Sequence, residues 1–199
     1  IKLFQVCKDF ELKNIIFSST AAVYGNSKTG HCGEKSDLKP TSMYAKSKLK
    51  VENYLKKQKK LSYIILRYFN VAGADLNLRS GLISKNKSTH LIKKLCESFL
   101  NKKKIIINGK DYPTKDGTPV RDYIHVVDLA IAHYNASKYI IKEGKSNIFN
   151  CGYGKGFSVL EIVNEFNKIN KRKVEIIFGN RRKGDITSLV SKEKKIKKT

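Results

Sequence analysis

Between Asn14 and Asn70 the chain alternates two hydrophobic patterns, and this alternation restricts the fold more than any other feature of the sequence. The stretch NIIFS (Asn14 to Ser18) is a short apolar run that reads as a buried strand. Small residues and two glycines, Gly25 and Gly30, follow in SSTAAVYGNSKTG and mark a loop. Apolar residues then recur at helical spacing from about Tyr44 to Lys57, and SYIILRYFN (Ser62 to Asn70) returns to a strand. Ahead of these, Ile1, Phe4, Cys7 and Phe10 recur every third position, as on the end of a helix. Helix, strand, loop, helix, strand is the order of an α/β chain whose parallel sheet is covered by helices.

The rest of the chain is less regular. HLIKKLCESFL (His90 to Leu100) and VVDLAIAHYNASKYI (Val126 to Ile140) carry helical spacing, the second with Asp128 at its N-terminal end, where a carboxylate suits the helix dipole. KIIING, SNIFNCG and VEIIFG read as strands, VEIIFG as the last one, and Ser158 and Glu161 stand at capping-box spacing ahead of an apolar face. KDYPTKDGT is rich in turn residues, and the tail SKEKKIKKT is a charge run expected as a frayed helix or unfinished element. CGYGKGFS loosely resembles a Gly-x-Gly-x-x-Gly turn, but Ser158 opens a helix there and no acidic residue lies on a strand about 20 residues on, so it is not expected to cradle a dinucleotide.

Composition narrows the class. At 199 residues and 40% hydrophobic, the chain suits a globular core, and no apolar run approaches the length of a membrane span. Its net charge of +24 raises a nucleic-acid partner as one reading. The cations, however, are mostly lysines spread along the sequence, with arginine only at positions 67, 79, 121, 172, 181 and 182, which reads better as solvated faces. Four cysteines stand far apart without a Cys-x-x-Cys pair, so no metal site or disulfide framework is expected and a reducing cytoplasm is the default. The first residues carry no signal-peptide pattern and no initiator Met.

Chemistry concentrates at KPTSMYAKSKLKVENYL, where Tyr44 and Lys48 lie one helical turn apart near a helix entry. A free phenol ionises near pH 10 and is a poor base at neutral pH; a neighbouring ammonium and a helix N-terminus both favour its anion. Thr20, directly after the strand, could complete a proton relay. In a parallel sheet ligands gather beyond the carboxyl ends of the strands, where Thr20, Tyr44, Phe69 and Asn70 would meet.

FSSTAAVYG, YAKSK, LRYFNVAGA, NGKDYPTKDGTPVRDYIHVVDLA and RRKGD together resemble the UDP-glucose 4-epimerases of the extended short-chain dehydrogenase/reductase family, from the first residues to about Val190. DYPTKDGTPVRDYIHVVDLA is the most specific stretch; a Tyr-x-x-x-Lys pair alone points only to the superfamily. The resemblance implies the C-terminal part of a Rossmann-type parallel sheet with a small mixed α/β substrate domain. Residues 1–75, rejoined by 118–150, would complete the NAD-binding half, and 76–117 with 151–199 would bind the UDP-sugar. The Gly-rich turn and the acidic ribose contact would lie in a segment of roughly 100 residues upstream, on the scale of one βαβαβ half. The chain is therefore expected to be a fragment, inactive alone, of a cytoplasmic enzyme that is a homodimer at full length and binds neither nucleic acid nor membrane.

By the same resemblance, Tyr44 takes the proton from the sugar 4-hydroxyl, Thr20 bonds or relays it, and Lys48 holds the nicotinamide ribose and favours the ionised phenol. Hydride passes from C4 to NAD and returns to the other face of a 4-keto sugar, interconverting UDP-glucose and UDP-galactose. Tyr68 and Phe69 stand at the nicotinamide, and Asn70, His90 and Leu91 at substrate positions. Ile106, Ile107 and Asn108 form a strand that meets the uracil, and Arg121 and Arg182 grip the diphosphate, as the guanidinium fork allows. Asp185 accepts from the uridine ribose, and Leu189 stands where residue size governs N-acetylated sugars. His125, His133, Asp122 and Asp128 read as structural.

Three other readings compete. A sugar-nucleotide dehydratase is disfavoured by Ala21-Ala22 after Thr20, where such enzymes carry Asp-Glu; decarboxylases and 4-epimerases of other UDP-sugars stay open, although they lack the DYPTKDGT stretch. A basic binding module predicts cations clustered with stacking aromatics, which the spread of lysines does not match. The third is a non-catalytic, truncated remnant.

Overall fold

A computed structural model describes residues 2–83, 89–170, 172–192 and 195–197. Helix α1 (Lys2–Asp9) leads into strand β1 (Asn14–Thr20) and a single 3-10 turn (Ala21–Tyr24). Strand β2 (His31–Cys32), helix α2 (Met43–Lys56), and strands β3 (Ser62–Tyr68) and β4 (Asn70–Ala72) follow. Then come α3 (Leu91–Leu100), β5 (Ile105–Asn108), β6 (Val120–His125) and α4 (Val126–Glu143). Strands β7 (Asn147–Cys151) and β8 (Gly156–Ser158), helix α5 (Val159–Ile169), and strands β9 (Ile176–Gly179) and β10 (Ser188–Ser191) complete the order.

Among the described residues the strands make three sheets. The first is parallel, in the order β1-β3-β7, with Thr20 opposite Tyr68 and Tyr68 opposite Cys151 at the carboxyl edge. Its central strand β3 is buried from Ile64 to Arg67, as expected of a strand flanked on both sides and covered on both faces. Alternation divides it: Ile64 and Leu66 join Leu129, Ala136 and Ile140 of α4 in one core, whereas Arg67 points to the opposite face. The second sheet runs β2-β10-β6-β4, with β8 antiparallel on β6. In the third, β5 and β9 pair in parallel under α3 and α5, and Leu95, Ile105, Ile107, Val163 and Val174 form its core.

Four features depart from the sequence reading. The stretch Ser62 to Asn70 is two strands, not one: the chain leaves the first sheet at Tyr68 and enters the second at Asn70. Strand β6 precedes α4 with only alternate residues buried, which a search for apolar runs passes over. VEIIFG is not the last strand, since β10 follows it. Strands β2 and β8, of two and three residues, are too short to show a period. In the tail, Lys195–Lys197 form a 3-10 turn, and positions 193, 194, 198 and 199 lie outside the described residues.

Within CGYGKGFS, residues 152–155 form the loop between β7 and β8 that encloses a carboxylate: buried Asp122 accepts from the amides of Tyr153 (2.9 Å), Gly154 (2.8 Å) and Ser191 (3.1 Å). Burial pushes the Asp122 pKa up, and those three amides pull against it. Asp128 accepts from the Tyr153 hydroxyl, so both carboxylates tie the loop to β6 and α4. The capping box is complete, with Ser158 accepting from the Glu161 amide at 3.0 Å and Glu161 accepting from the Ser158 amide at 2.7 Å. No helix among the described residues is long and apolar enough to cross a membrane, and none of the four cysteines is in a disulfide.

Candidate active site

The carboxyl ends of β1 and β3 and the entry of α2 converge. At the end of β1, the Thr20 hydroxyl caps the following 3-10 turn by accepting from the Ala22 amide at 3.2 Å. A hydroxyl has one donor and two acceptor positions, so this bond leaves the Thr20 proton to point elsewhere. Ser42 caps α2 by accepting from Ala45, and Tyr44 follows in the first turn with 57% of its surface exposed. One turn on, Lys48 Nζ donates to the Ser18 carbonyl at 3.0 Å and stands 5.7 Å from the Tyr44 ring centroid. No hydrogen bond joins Tyr44 to Thr20 among the described residues, so a relay between them needs a substrate hydroxyl in the gap.

Two adjoining clefts open here, of about 310 and 490 Å³. The first is lined by Thr20, Tyr68, Phe69 and Leu189, the second by Tyr44, His90, Leu91, Ile106, Ile107 and Asn108. Asn70, Arg121, Arg182 and Asp185 line both and form the shared wall. Of the site residues read from the sequence, only Lys48 lines neither cleft; it stands behind, tied to β1. His90 is at the N-cap of α3, and the side chains of β5 alternate, with Ile107 buried and Ile106 half exposed.

The two cleft arginines differ. Arg121 is 12% exposed and donates to Asp185 at 2.7 Å and to the Val120 carbonyl at 2.8 Å. Arg182 is exposed and donates through Nε to Asn108 at 3.1 Å, with no carboxylate partner among the described residues. Its neighbour Arg181 pairs with Asp111 at 2.7 Å over the Tyr112 ring, and that bond holds the Asp111 carboxyl below its ordinary range. Tyr68 donates or accepts at 2.5 Å with both Ser18 Oγ and His133 Nε2, and burial raises its pKa. His133 Nδ1 lies 2.8 Å from the Leu129 carbonyl, so it serves α4 and Tyr68 rather than a cleft.

The NAD dependent epimerase/dehydratase family matches over residues 1–152. The chain belongs to that family. It is 41% identical over 195 residues to a UDP-glucose 4-epimerase of Azospirillum brasilense, covering 96% of this chain and 56% of the relative. A solved UDP-glucose 4-epimerase of Stenotrophomonas maltophila, holding NAD and formylated UDP-arabinopyranose, superposes with a TM-score of 0.89 at 31% identity, over 98% of this chain and 60% of its own. The UDP-Glc/GlcNAc 4-epimerase of Campylobacter jejuni is 40% identical with a TM-score of 0.75, over 98% of this chain and 60% of its own. The chain thus spans less than two thirds of the length of each of these relatives.

Within this epimerase/dehydratase chain, several residues at or behind the clefts escape a reading of the sequence. Tyr123 lines the second cleft, and burial pushes its pKa up to about 12. Tyr112 is buried with its hydroxyl 3.4 Å from Asp185; burial and that carboxylate both raise its pKa. Thr41 donates to the Gly184 carbonyl at 3.2 Å, joining the α2 entry to the Arg182–Asp185 turn. Tyr112 had a detectable signal, an aromatic inside a Pro/Gly turn, whereas Thr41 becomes visible only when two distant loops meet.

Proposed function

We propose that the whole protein interconverts UDP-glucose and UDP-galactose by NAD-dependent epimerisation at C4, with this chain supplying the acid–base pair and the UDP-sugar wall. The observation that carries the reading is the shared wall of Asn70, Arg121, Arg182 and Asp185, flanked by Thr20 in one cleft and Tyr44 in the other. Two guanidinium groups beside a carboxylate suit a nucleoside diphosphate: the arginines bind phosphate oxygens and Asp185 accepts from a ribose hydroxyl. Asn108 and the backbone of β5 lie alongside for the base, with His90 and Leu91 at the entry of α3.

The donor set at the strand ends also suits the cofactor. Lys48 uses one of its three N–H groups on the Ser18 carbonyl and has others for a ribose, and Tyr68 and Phe69 supply aromatic surface at the end of β3. NAD, when bound, supplies the redox chemistry by taking hydride from C4 and returning it. Tyr44, exposed toward the cleft, takes the proton of the 4-hydroxyl, and Lys48 puts a positive charge near the ring that gains negative charge. Thr20, held by the Ala22 amide, keeps its hydroxyl proton for the same sugar oxygen. In this reading residues 1–75 with 118–150 complete the NAD-binding half, and 76–117 with 151–199 hold the UDP-sugar.

The test is turnover of UDP-galactose to UDP-glucose by the whole protein with NAD, read through a coupled UDP-glucose dehydrogenase. Tyr44→Phe should lower kcat by about 10²-fold or more, the scale of a lost general base. Wild-type turnover by that variant would refute the assignment of the base. Running UDP-N-acetylglucosamine in parallel measures whether the cleft beside Leu189 admits the larger sugar.

A further inference from the structure

Arg67 and Glu52 are both fully buried, and neither touches a cleft: Arg67 is 1% exposed and Glu52 0%. Their contact is a two-pronged one, with Arg67 Nε to Glu52 Oε1 at 3.0 Å and Nη2 to Oε2 at 2.6 Å. Most of the remaining donors and acceptors on the pair are taken up. Ser19 donates to Glu52 Oε1 at 2.6 Å, and Arg67 Nη1 donates to the Tyr24 hydroxyl at 2.9 Å and the Glu34 carbonyl at 3.2 Å. Tyr24 in turn donates to Asn150 at 2.6 Å, whose own amide nitrogen reaches the Cys32 carbonyl at 2.9 Å. Lys56 adds a third charge at 3.7 Å. Burial works against the Arg67 charge, but its bonds to Glu52 more than reverse this and raise its pKa; burial likewise pushes Tyr24 up to about 12.

Two charges are costly to remove from water, and a buried pair of this kind is weak evidence for stability in itself. Its place in the chain gives it another use. Tyr44, Lys48 and Glu52 recur every fourth residue and descend one side of α2, with Glu52 about 6 Å along the axis from Lys48 and about 12 Å from Tyr44. Adjacent residues of β1 receive the two lower ones: the Ser18 carbonyl takes Lys48, and the Ser19 hydroxyl reaches Glu52. Helix α2 is thus fixed to the end of β1 at two consecutive rungs, and Arg67 ties the second rung to the central strand.

Building on the functional reading above, we infer that Glu52 and Arg67 are positioning residues, which set the height and tilt of α2 and so hold Lys48 and Tyr44 against the carboxyl end of the sheet. A bidentate, fully enclosed contact has one geometry, whereas an apolar contact could slide along the helix axis. Reacting groups lose about 10²-fold in rate when misplaced by about 1 Å, so such a lock matters more for placement than for folding energy.

The readout is independent of turnover: limited acetylation of the lysines with acetic anhydride, quantified by mass spectrometry. The extent at Lys48 is expressed relative to Lys46 and Lys50, which are exposed on the same helix. In Glu52→Gln the relative reactivity of Lys48 should rise roughly threefold or more as its contact with Ser18 loosens. Ile140→Ala, a core truncation in α4 remote from the pair, should lower Tm while leaving the ratio unchanged. Arg67→Lys, which keeps a charge but loses the fork, should behave as Glu52→Gln does. Equal ratios in Glu52→Gln and Ile140→Ala would overturn the inference, as would failure of both Glu52→Gln and Arg67→Lys to fold, because the pair would then serve the fold as a whole. In the whole protein, Glu52→Gln should lower kcat by about 10²-fold with KM for the UDP-sugar little changed, since the shared wall is untouched. If the wild-type whole protein does not epimerise, the functional reading fails and the Lys48 ratio still decides this one.

Discussion

Arg121 and Arg182 share one cleft wall but should answer differently to the same substitution. On the proposed function, removing the side-chain charge with Arg182→Gln takes away a donor to phosphate and little else, because the residue is exposed and, among the described residues, bonded only to Asn108. A hydrogen bond from a charged group contributes about 1.5–3 kcal/mol, and 1.4 kcal/mol is a factor of ten. UDP should therefore bind the variant roughly 10- to 100-fold more weakly. Surface changes of this kind stay within about 0.5 kcal/mol of stability, which for a chain of this size moves Tm by no more than about 2 °C. Arg121→Gln should weaken UDP to a similar extent and also destabilise. Arg121 is 12% exposed and bonds Asp185, which without it keeps, among the described residues, the Ile186 amide at 3.0 Å and the distant Tyr112 hydroxyl. Losing that charged pair costs about 2 kcal/mol, a fall in Tm of roughly 4–8 °C. Isothermal calorimetry with UDP on the whole protein gives the first quantity and a thermal melt the second. Unchanged UDP affinity in both variants would refute the diphosphate wall, and a larger Tm loss in Arg182→Gln than in Arg121→Gln would refute the reading of which arginine is structural.

Two further substitutions test the scaffold. Burial works against the Asp116 charge, but bonds from the Ser158 hydroxyl, the Thr118 hydroxyl and the Thr118 amide outweigh it and hold the carboxyl below its ordinary range. A depressed folded value means the stabilisation is complete above the unfolded pKa near 4 and is lost as pH falls through the folded value. Asp116→Asn should melt lower than the parent at pH 7 and converge on it as pH falls through the lowered folded value; a constant gap down to acid pH would refute the linkage. Gly25 sits at φ +66°, where an added Cβ would lie 1.9 Å from the Lys39 carbonyl on the segment leading into α2. Gly25→Ala should cost about 2–3 kcal/mol, or roughly 4–12 °C of Tm; a loss under about 1 °C would show that this loop shifts freely.

What the sequence reveals about this protein follows the range of the interactions involved. The strand NIIFS, the helix from Tyr44 and the Ser158 capping box are local, and each is present where its spacing places it. Strand β6 and strand β10 are not local: their pairing partners lie in distant segments, and β10 at Ser188–Ser191 bonds both β2 and β6. The same division runs through the site. Tyr44 and Lys48 are legible because a helix turn joins them, and the motif stretches bring the arginines and Asp185 into view. The lock behind them was not legible, although every part was in plain sight. Glu52 inside a helix reads as an ordinary surface charge, and Arg67, although it stands inside an apolar strand, does not reveal which carboxylate it meets. Only the fold brings them to 2.6 Å and removes the water, and a charge enclosed in that way must have a partner. An arginine within an otherwise continuous buried strand is therefore the one local signal of a distant carboxylate. In this chain it leads to the helix that carries the candidate base.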